Sequence, residues 1–296
     1  MVSSNLNKAY RIEITEKIIE ALKNGTAPWQ KPWEGDNMPI NATTGKRYRG
    51  INALLLSLVG EELDKGDDPR WATYLQAQAN GWRIKKYSKA TQITFWKPIE
   101  VNSESENEND NVSQNKREIV MKRFYVFHAS QIEGIPPYAV PNKILSEERN
   151  QKIEEIIANS GADIRHSGFQ AFYSAKGDFI QMPERCYFES IESYYATLLH
   201  ELAHWTAHEK RLKRKLSAFK NSQEYAREEL IVEILSVFLC SELGIAQTQE
   251  HFDNHASYVS SWIKILDKDY NAIFRASSEA ERITEFIQKI SSKKNQ

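Results

Sequence analysis

ATLLHELAHWTAHEKRL, residues 196–212, decides how the rest of the chain is read. It holds His200, Glu201 and His204 in the pattern H-E-x-x-H. Residues four apart share one face of a helix, so two histidines at this spacing can reach the same metal ion. The intervening glutamate can then take a proton from a water at that ion. Leu198, Leu199, Leu202 and Ala203 supply an apolar face, so the spacing predicts a buried helix over 191–209. His208 extends the four-residue rhythm but does not fit the ion. Eight residues of helix span about 12 Å, and a Zn–N bond is about 2 Å. His208 is expected to cap the helix or meet solvent.

A third ligand must then come from elsewhere. EYAREELIVEILSVFLC, residues 224–240, reads as a core helix through Leu230, Ile231, Ile234, Val237 and Phe238. Carboxylates in such a helix are costly unless paired or bound to metal. Glu229 and Glu233 are i, i+4. One can bind the ion while the other accepts from a histidine ring N–H. Zn²⁺ suits two imidazoles and a carboxylate, and Mn²⁺ or Co²⁺ also suits them. Cys186, Cys240, His128, His166, His251 and His255 read as ordinary core or surface residues.

The first half has a different character. Trp29, Trp33, Trp71, Trp82 and Trp96 fall within one hundred residues, interleaved with cations. Single strands of DNA are held by rings that stack on bases and cations that follow the phosphates. Trp29, Lys31 and Trp33, then Lys46, Arg47, Tyr48 and Arg49, then Arg70 and Trp71, then Trp82, Arg83, Lys85 and Lys86 are the candidate DNA contacts. The competing reading is that the tryptophans are core, as large rings usually are. Trp96, alternating inside a strand, is the strongest core candidate.

Helices are expected over 5–24, 51–63, 71–82, 146–161, 222–243, 251–273 and 278–292. Strands are expected over 90–101 and 121–129, joined as a hairpin whose tip is the polar tract 103–118. Short strands flank a turn at Lys176-Gly177-Asp178, and FIQMP (179–183) is the candidate edge for an extended peptide. The prolines of 135–143 mark a linker. The expected division is 1–134, the linker 135–143, and 144–296. The fold class is α+β, an N-terminal α+β domain with a β-hairpin and a mostly helical C-terminal domain with a small sheet.

The 296 residues suit two domains. Net charge is -1, which argues against a DNA-mimic mechanism and requires any basic surface to be local. Two cysteines fit a reducing compartment. No apolar run is long enough for a membrane span, and the first residues lack a signal-peptide core. A cytoplasmic protein is expected.

Several motifs in order carry a resemblance. NGTAPWQKPW, NATTGKRYRGIN and DPRWATYLQAQANGW in the first half, with DFIQMP, YYATLLHELAHWT and YAREELIVEILSVFL in the second, resemble the ArdC antirestriction proteins of conjugative plasmids. The resemblance covers most of the chain. It implies an N-terminal single-stranded DNA-binding domain, a C-terminal zincin-like metallopeptidase domain, and protection of incoming plasmid DNA from host restriction. A host restriction-system protein is the implied target or substrate. The resemblance also orders the glutamates, Glu229 as ligand with His200 and His204, Glu233 behind a histidine, and Glu201 as base. Departures are the tract 103–118, Val232 where relatives carry a small residue, and Tyr87-Ser88 where they carry a Gly-Glu turn. The alternative is a DNA-binding protein whose metal is structural or vestigial and which acts without proteolysis.

Overall fold

The computed structural model describes residues 2–27, 29, 38–64, 68–101, 116–139, 146–217, 222–245 and 256–292. Helix α1 (Val2–Lys23) buries Ile14, Ile18 and Leu22 at four-residue intervals, and Gly25 follows in the left-handed region at φ 65. Helix α2 (Gly50–Asp64) buries an unbroken run from Ala53 to Leu58. A helix apolar on all sides must be surrounded, and α2 packs against both the first sheet and the C-terminal helix.

That sheet has four strands in the order β1 (Ile40–Asn41), β2 (Arg70–Thr73), β5 (Lys116–His128) and β4 (Thr91–Val101). β1 and β2 are parallel and the rest antiparallel, with Thr91 opposite Val126 and Val101 opposite Lys116. The expected hairpin is present, and its second strand starts earlier than expected, inside the tract read as an insertion. Residues 103–115 of that tract lie outside the described residues, as does the part of the linker from 140.

The helix expected from Trp71 starts later. Residues 70–73 form the interior strand β2, with Trp71 and Ala72 both buried. Helix α3 (Tyr74–Ala79) begins only where Thr73 and Gln76 close a capping box. The short β3 (Arg83–Ile84) and β6 (Ile132–Glu133) pair beside it.

In the second half, α4 (Ser146–Ser160) leads to a three-stranded sheet. Its order is β7 (Asp163–His166), β9 (Phe179–Met182), β8 (Phe172–Ser174), with β7 parallel and β8 antiparallel to β9. β9 is therefore central, and FIQMP is not an edge. The edges are β7, which the sequence reading missed, and β8. Helices α5 (Ile191–Trp205) and α6 (Gln223–Leu243) pack together and carry the H-E-x-x-H face and the paired glutamates. The last two helices break at Asp269-Tyr270-Asn271, giving α7 (Val259–Lys268) and α8 (Ala272–Ser292). The break falls there because Asp269 accepts from Asn271 N at 3.0 Å and from Ala272 N at 2.9 Å, satisfying the start of α8.

One hydrophobic cluster runs through both halves. Trp29, Leu54 and Trp71 share it with Leu230, Val237, Trp262 and Ile283. Trp29 meets Trp262 edge to face at 6.5 Å, and Trp262 donates its indole N–H to Ala226 O at 2.9 Å. Among the described residues no helix is long and apolar enough to cross a membrane.

Candidate functional site

Ser190 caps α5 by accepting from Ser193 N at 3.0 Å, and Ser222 caps α6 by accepting from Tyr225 N at 3.1 Å. Gly244, at φ 68, closes α6 with Ile245 N bonded to Cys240 O at 2.8 Å. With Leu198, Leu199, Leu202 and Ala203 all buried, α5 turns His200 and His204 onto the facing glutamates of α6.

His200 Nε2 and His204 Nε2 lie 3.2 Å apart. Glu229 Oε2 is 3.6 Å from the first and Glu229 Oε1 is 3.4 Å from the second. These three residues, all buried, bring one donor atom each within 4.8 Å of one another. Two nitrogens bound tetrahedrally at about 2.0–2.1 Å sit about 3.3 Å apart, so the spacing fits a divalent ion. The far side of each ring fits too. His200 Nδ1 faces Glu233 Oε1 at 3.4 Å, and His204 Nδ1 faces Glu228 Oε1 at 3.5 Å. A carboxylate at Nδ1 holds that proton and leaves Nε2 its lone pair.

Glu228 was not among the expected residues. It is buried and receives Arg214 Nη2 at 2.6 Å. Arg214 also donates to Ala203 O at 2.9 Å and Thr206 Oγ1 at 2.6 Å, tying the end of α5 to α6. Burial pushes the Glu228 carboxyl up, but His204 and Arg214 outweigh it and hold it below the usual range. Burial likewise pulls His204 down, and Glu229, Glu228 and Glu201 outweigh that and raise it well above the usual imidazole. Glu201, Glu228, Glu229 and Glu233 are all buried around two rings and one guanidinium. Such an anionic pocket favours a cation.

Helix α5 stops at Trp205, earlier than expected, and His208 sits in the following turn. Its Nδ1 accepts from Lys210 N at 3.2 Å and lies 3.7 Å from Asp178 Oδ2. Arg211 lies 3.8 Å over the Trp205 ring and binds Asp178 and Tyr173, so it ties the β8–β9 turn to the end of α5. Arg211 holds the Asp178 carboxyl below its ordinary value, against burial. A depressed carboxyl contributes stability that is present above its unfolded value and lost as pH falls through the folded one. Asp178→Asn should therefore destabilise at pH 7, with a gap from wild type that narrows towards pH 3. Urea midpoints at the two pH values check it.

Of three tyrosines near the helix, Tyr173 is committed to Asp178 and Tyr195 donates to Glu154 Oε1 at 2.7 Å. Tyr225 is the one beside the ligands. Burial, then the charge of Glu229, raises its phenol far above its ordinary value. His128 and His166 have ordinary partners, Asp68 O at 2.6 Å and Tyr194 OH at 2.9 Å. His251 and His255 lie outside the described residues.

The candidate DNA contacts divide. Trp29 and Trp71 are 1% exposed, and Tyr48 is also buried, so none of these rings offers a face to a base. They fill the core, where a large ring gains most. Arg70 is held by both oxygens of Asp68 and by Pro136 O. Trp82 is half-buried against Ala72, Ala77 and Ile132. Arg83 binds Glu133 at 2.7 Å, and Lys85 donates to Ser130 O at 2.7 Å. Lys46, Arg49 and Lys86 are exposed, and Arg47 is half-buried. Lys31 and Trp33 lie outside the described residues, as does the side chain of Trp96. Among the described residues of the first half, the exposed rings are others: Tyr74, Tyr87, Phe95, Phe124 and Tyr125. Phe95 stands opposite Lys122 in the hairpin, and that alternation with a cation was the available signal.

Residues 8–127 match the family model of the N-terminal domain of anti-restriction factor ArdC, and residues 151–279 match that of a zincin-like metallopeptidase. The chain is 42% identical to a DNA primase TraC of Escherichia coli over 96% of its own length, but spans only 27% of that protein. It is 34% identical to the uncharacterised protein y4eC of Sinorhizobium fredii, over 93% of this chain and 90% of that one. Among solved structures, the metal-free antirestriction ArdC protein from plasmid R388 matches at TM-score 0.78 and 34% identity, covering 97% of this chain and 99% of that one. The Mn(II)-bound form of that protein matches at TM-score 0.77 and 33% identity, with the same coverage.

Proposed function

This chain belongs to the ArdC family of antirestriction proteins, and we propose that it binds single-stranded DNA and protects incoming plasmid DNA from host restriction. In this reading residues 1–134 hold the DNA, 135–143 form the linker, and 144–296 form the metallopeptidase-like domain, with the protein acting in the cytoplasm. The observation that carries the enzymatic half is the convergence of His200 Nε2, His204 Nε2 and Glu229. Zn²⁺ is the ion this donor set suits first, and the Mn(II)-bound relative makes Mn²⁺ the next.

An ion held there supplies Lewis acidity, drawing electron density from a peptide carbonyl and lowering the pKa of adjacent water. Glu201 would accept a proton at its carboxylate from the water that adds to the carbonyl carbon, and would return it to the amide nitrogen as the C–N bond breaks. Tyr225 stays protonated and donates to the carbonyl oxygen. The substrate, a protein of the host restriction system in this reading, lies extended along β8, the edge strand that packs beside α5.

Glu201→Gln tests this directly. It should keep the bound ion and the DNA affinity while lowering plasmid transfer into a restricting recipient to the level without the protein. Survival of protection in that variant would instead favour a protein that acts by coating DNA, with a metal that is structural or vestigial. The DNA half is tested by a gel shift with an oligodeoxythymidylate, whose affinity should fall steeply with salt.

A further inference from the structure

A cavity of about 1160 Å³ opens between the two halves of the molecule. Small-molecule sites run roughly 300–1,000 Å³, so this one has room for a stretch of chain. Its lining holds seven cations and three carboxylates, an excess of positive charge that favours an anion, with Arg49 paired to Glu281 and Glu285, Arg275 to Asp269 and Arg282 to Glu279. The cations come from segments far apart in sequence: Arg47 and Arg49 before α2, Arg227 on α6, and Arg275 and Arg282 on α8. Between them the wall is apolar, with Ile51, Leu230 and Ile231 beside the rings of Phe95 and Phe274.

The carboxylates show how an anion is held there. Glu281 accepts from Gly50 N, the first amide of α2, at 3.3 Å and lies 3.4 Å from Arg49 Nε. Arg49 Nη1 is 3.0 Å from Glu285. A phosphate oxygen has the same need for a guanidinium and a helix-start amide. Arg11 already lies 5.1 Å over the Phe274 ring, so a cation and an aromatic face meet inside the cleft.

We propose that this cleft between the halves seats a short run of single-stranded nucleic acid, its phosphates on the arginine rim and its bases on the apolar wall. A duplex would keep its base faces stacked inside, whereas a single strand offers them to Phe95 and Phe274. The strand would then touch the second half through Arg227, Arg275 and Arg282, and would lie against α6, whose other face carries Glu228, Glu229 and Glu233. The inference rests on the single-stranded DNA reading above and assigns the surface.

Anisotropy of a fluorescein-labelled oligodeoxythymidylate across a salt series tests it on the full chain. Arg47→Ala/Arg282→Ala should weaken binding about tenfold or more and reduce the salt slope by about 1.4, at about 0.7 per phosphate contact. Phe95→Ala should weaken binding about tenfold with the slope unchanged, because it removes stacking and no charge. Lys152→Ala/Lys176→Ala, equal in charge loss but outside the cleft, should bind as wild type. Wild-type affinity and slope in the arginine variant would overturn the cleft while leaving the DNA reading intact. Displacement of the labelled oligonucleotide by polyglutamate at a far lower concentration than by unlabelled oligonucleotide would overturn it in favour of an acidic peptide. No binding of the oligonucleotide by wild type would overturn the DNA reading itself.

Discussion

Replacing His204 with alanine should strip the ion from the protein. Wild type, dialysed against metal-free buffer after loading with zinc, is expected to keep about one ion per chain, and the variant less than a tenth of that. The size follows from the geometry. His204 Nε2 stands 3.2 Å from His200 Nε2 and 3.4 Å from Glu229, so it closes the triangle of donors. Losing a carboxylate behind a histidine costs about 10–100-fold in affinity, and losing the ligand itself costs more. Glu233→Gln provides the graded comparison, since it leaves every donor in place and alters only the partner of His200 Nδ1. Elemental analysis with a thermal melt on each variant separates ligand loss from unfolding. Equal metal content in wild type and His204→Ala would place the ion elsewhere.

What the sequence made legible follows the range over which its signals act. H-E-x-x-H is a local pattern, and helix geometry alone sets His200 beside His204. The i, i+4 spacing of Glu229 and Glu233 likewise puts both on the side of α6 that meets α5. Glu228 escaped because its place depends on Arg214, fourteen residues earlier and across a turn. A neighbour in sequence could not announce that pair. The start of α3 was available in principle, since Thr73 and Gln76 spell a capping box, but the tryptophan before them drew the helix too early. FIQMP alternates like any half-buried strand, and whether such a strand is an edge depends on β7 and β8 lying on both sides. Rings misled in the same way. Trp29 and Trp71 stand next to cations in sequence, yet what decides their use is burial against Trp262 and His128. The basic cleft is legible only in three dimensions, because its arginines come from the first fifty residues, from α6 and from α8.

Arg214→Met should produce the largest loss of stability. Arg214 is 6% exposed and Glu228 4%, so the pair is withdrawn from water. Breaking a buried pair from one side leaves an uncompensated charge and costs about 3–5 kcal/mol. Here the neighbours sharpen the effect, since Glu201, Glu229 and Glu233 are buried close by and repel the same carboxylate. The guanidinium also satisfies Ala203 O, near the end of α5, so the helix that carries both histidines loses its tether. The double variant Arg214→Met/Glu228→Gln removes the stranded charge and should recover a substantial part of the loss. Urea unfolding of these two variants, Glu228→Gln and wild type gives the coupling by a double-mutant cycle. A loss in the double variant equal to that in Arg214→Met would mean the tether to α5 matters and the charge does not. Recovery would show that Arg214 is there to make a fourth carboxylate tolerable, and so to let His204 carry its Nδ1 proton with Nε2 free for the ion.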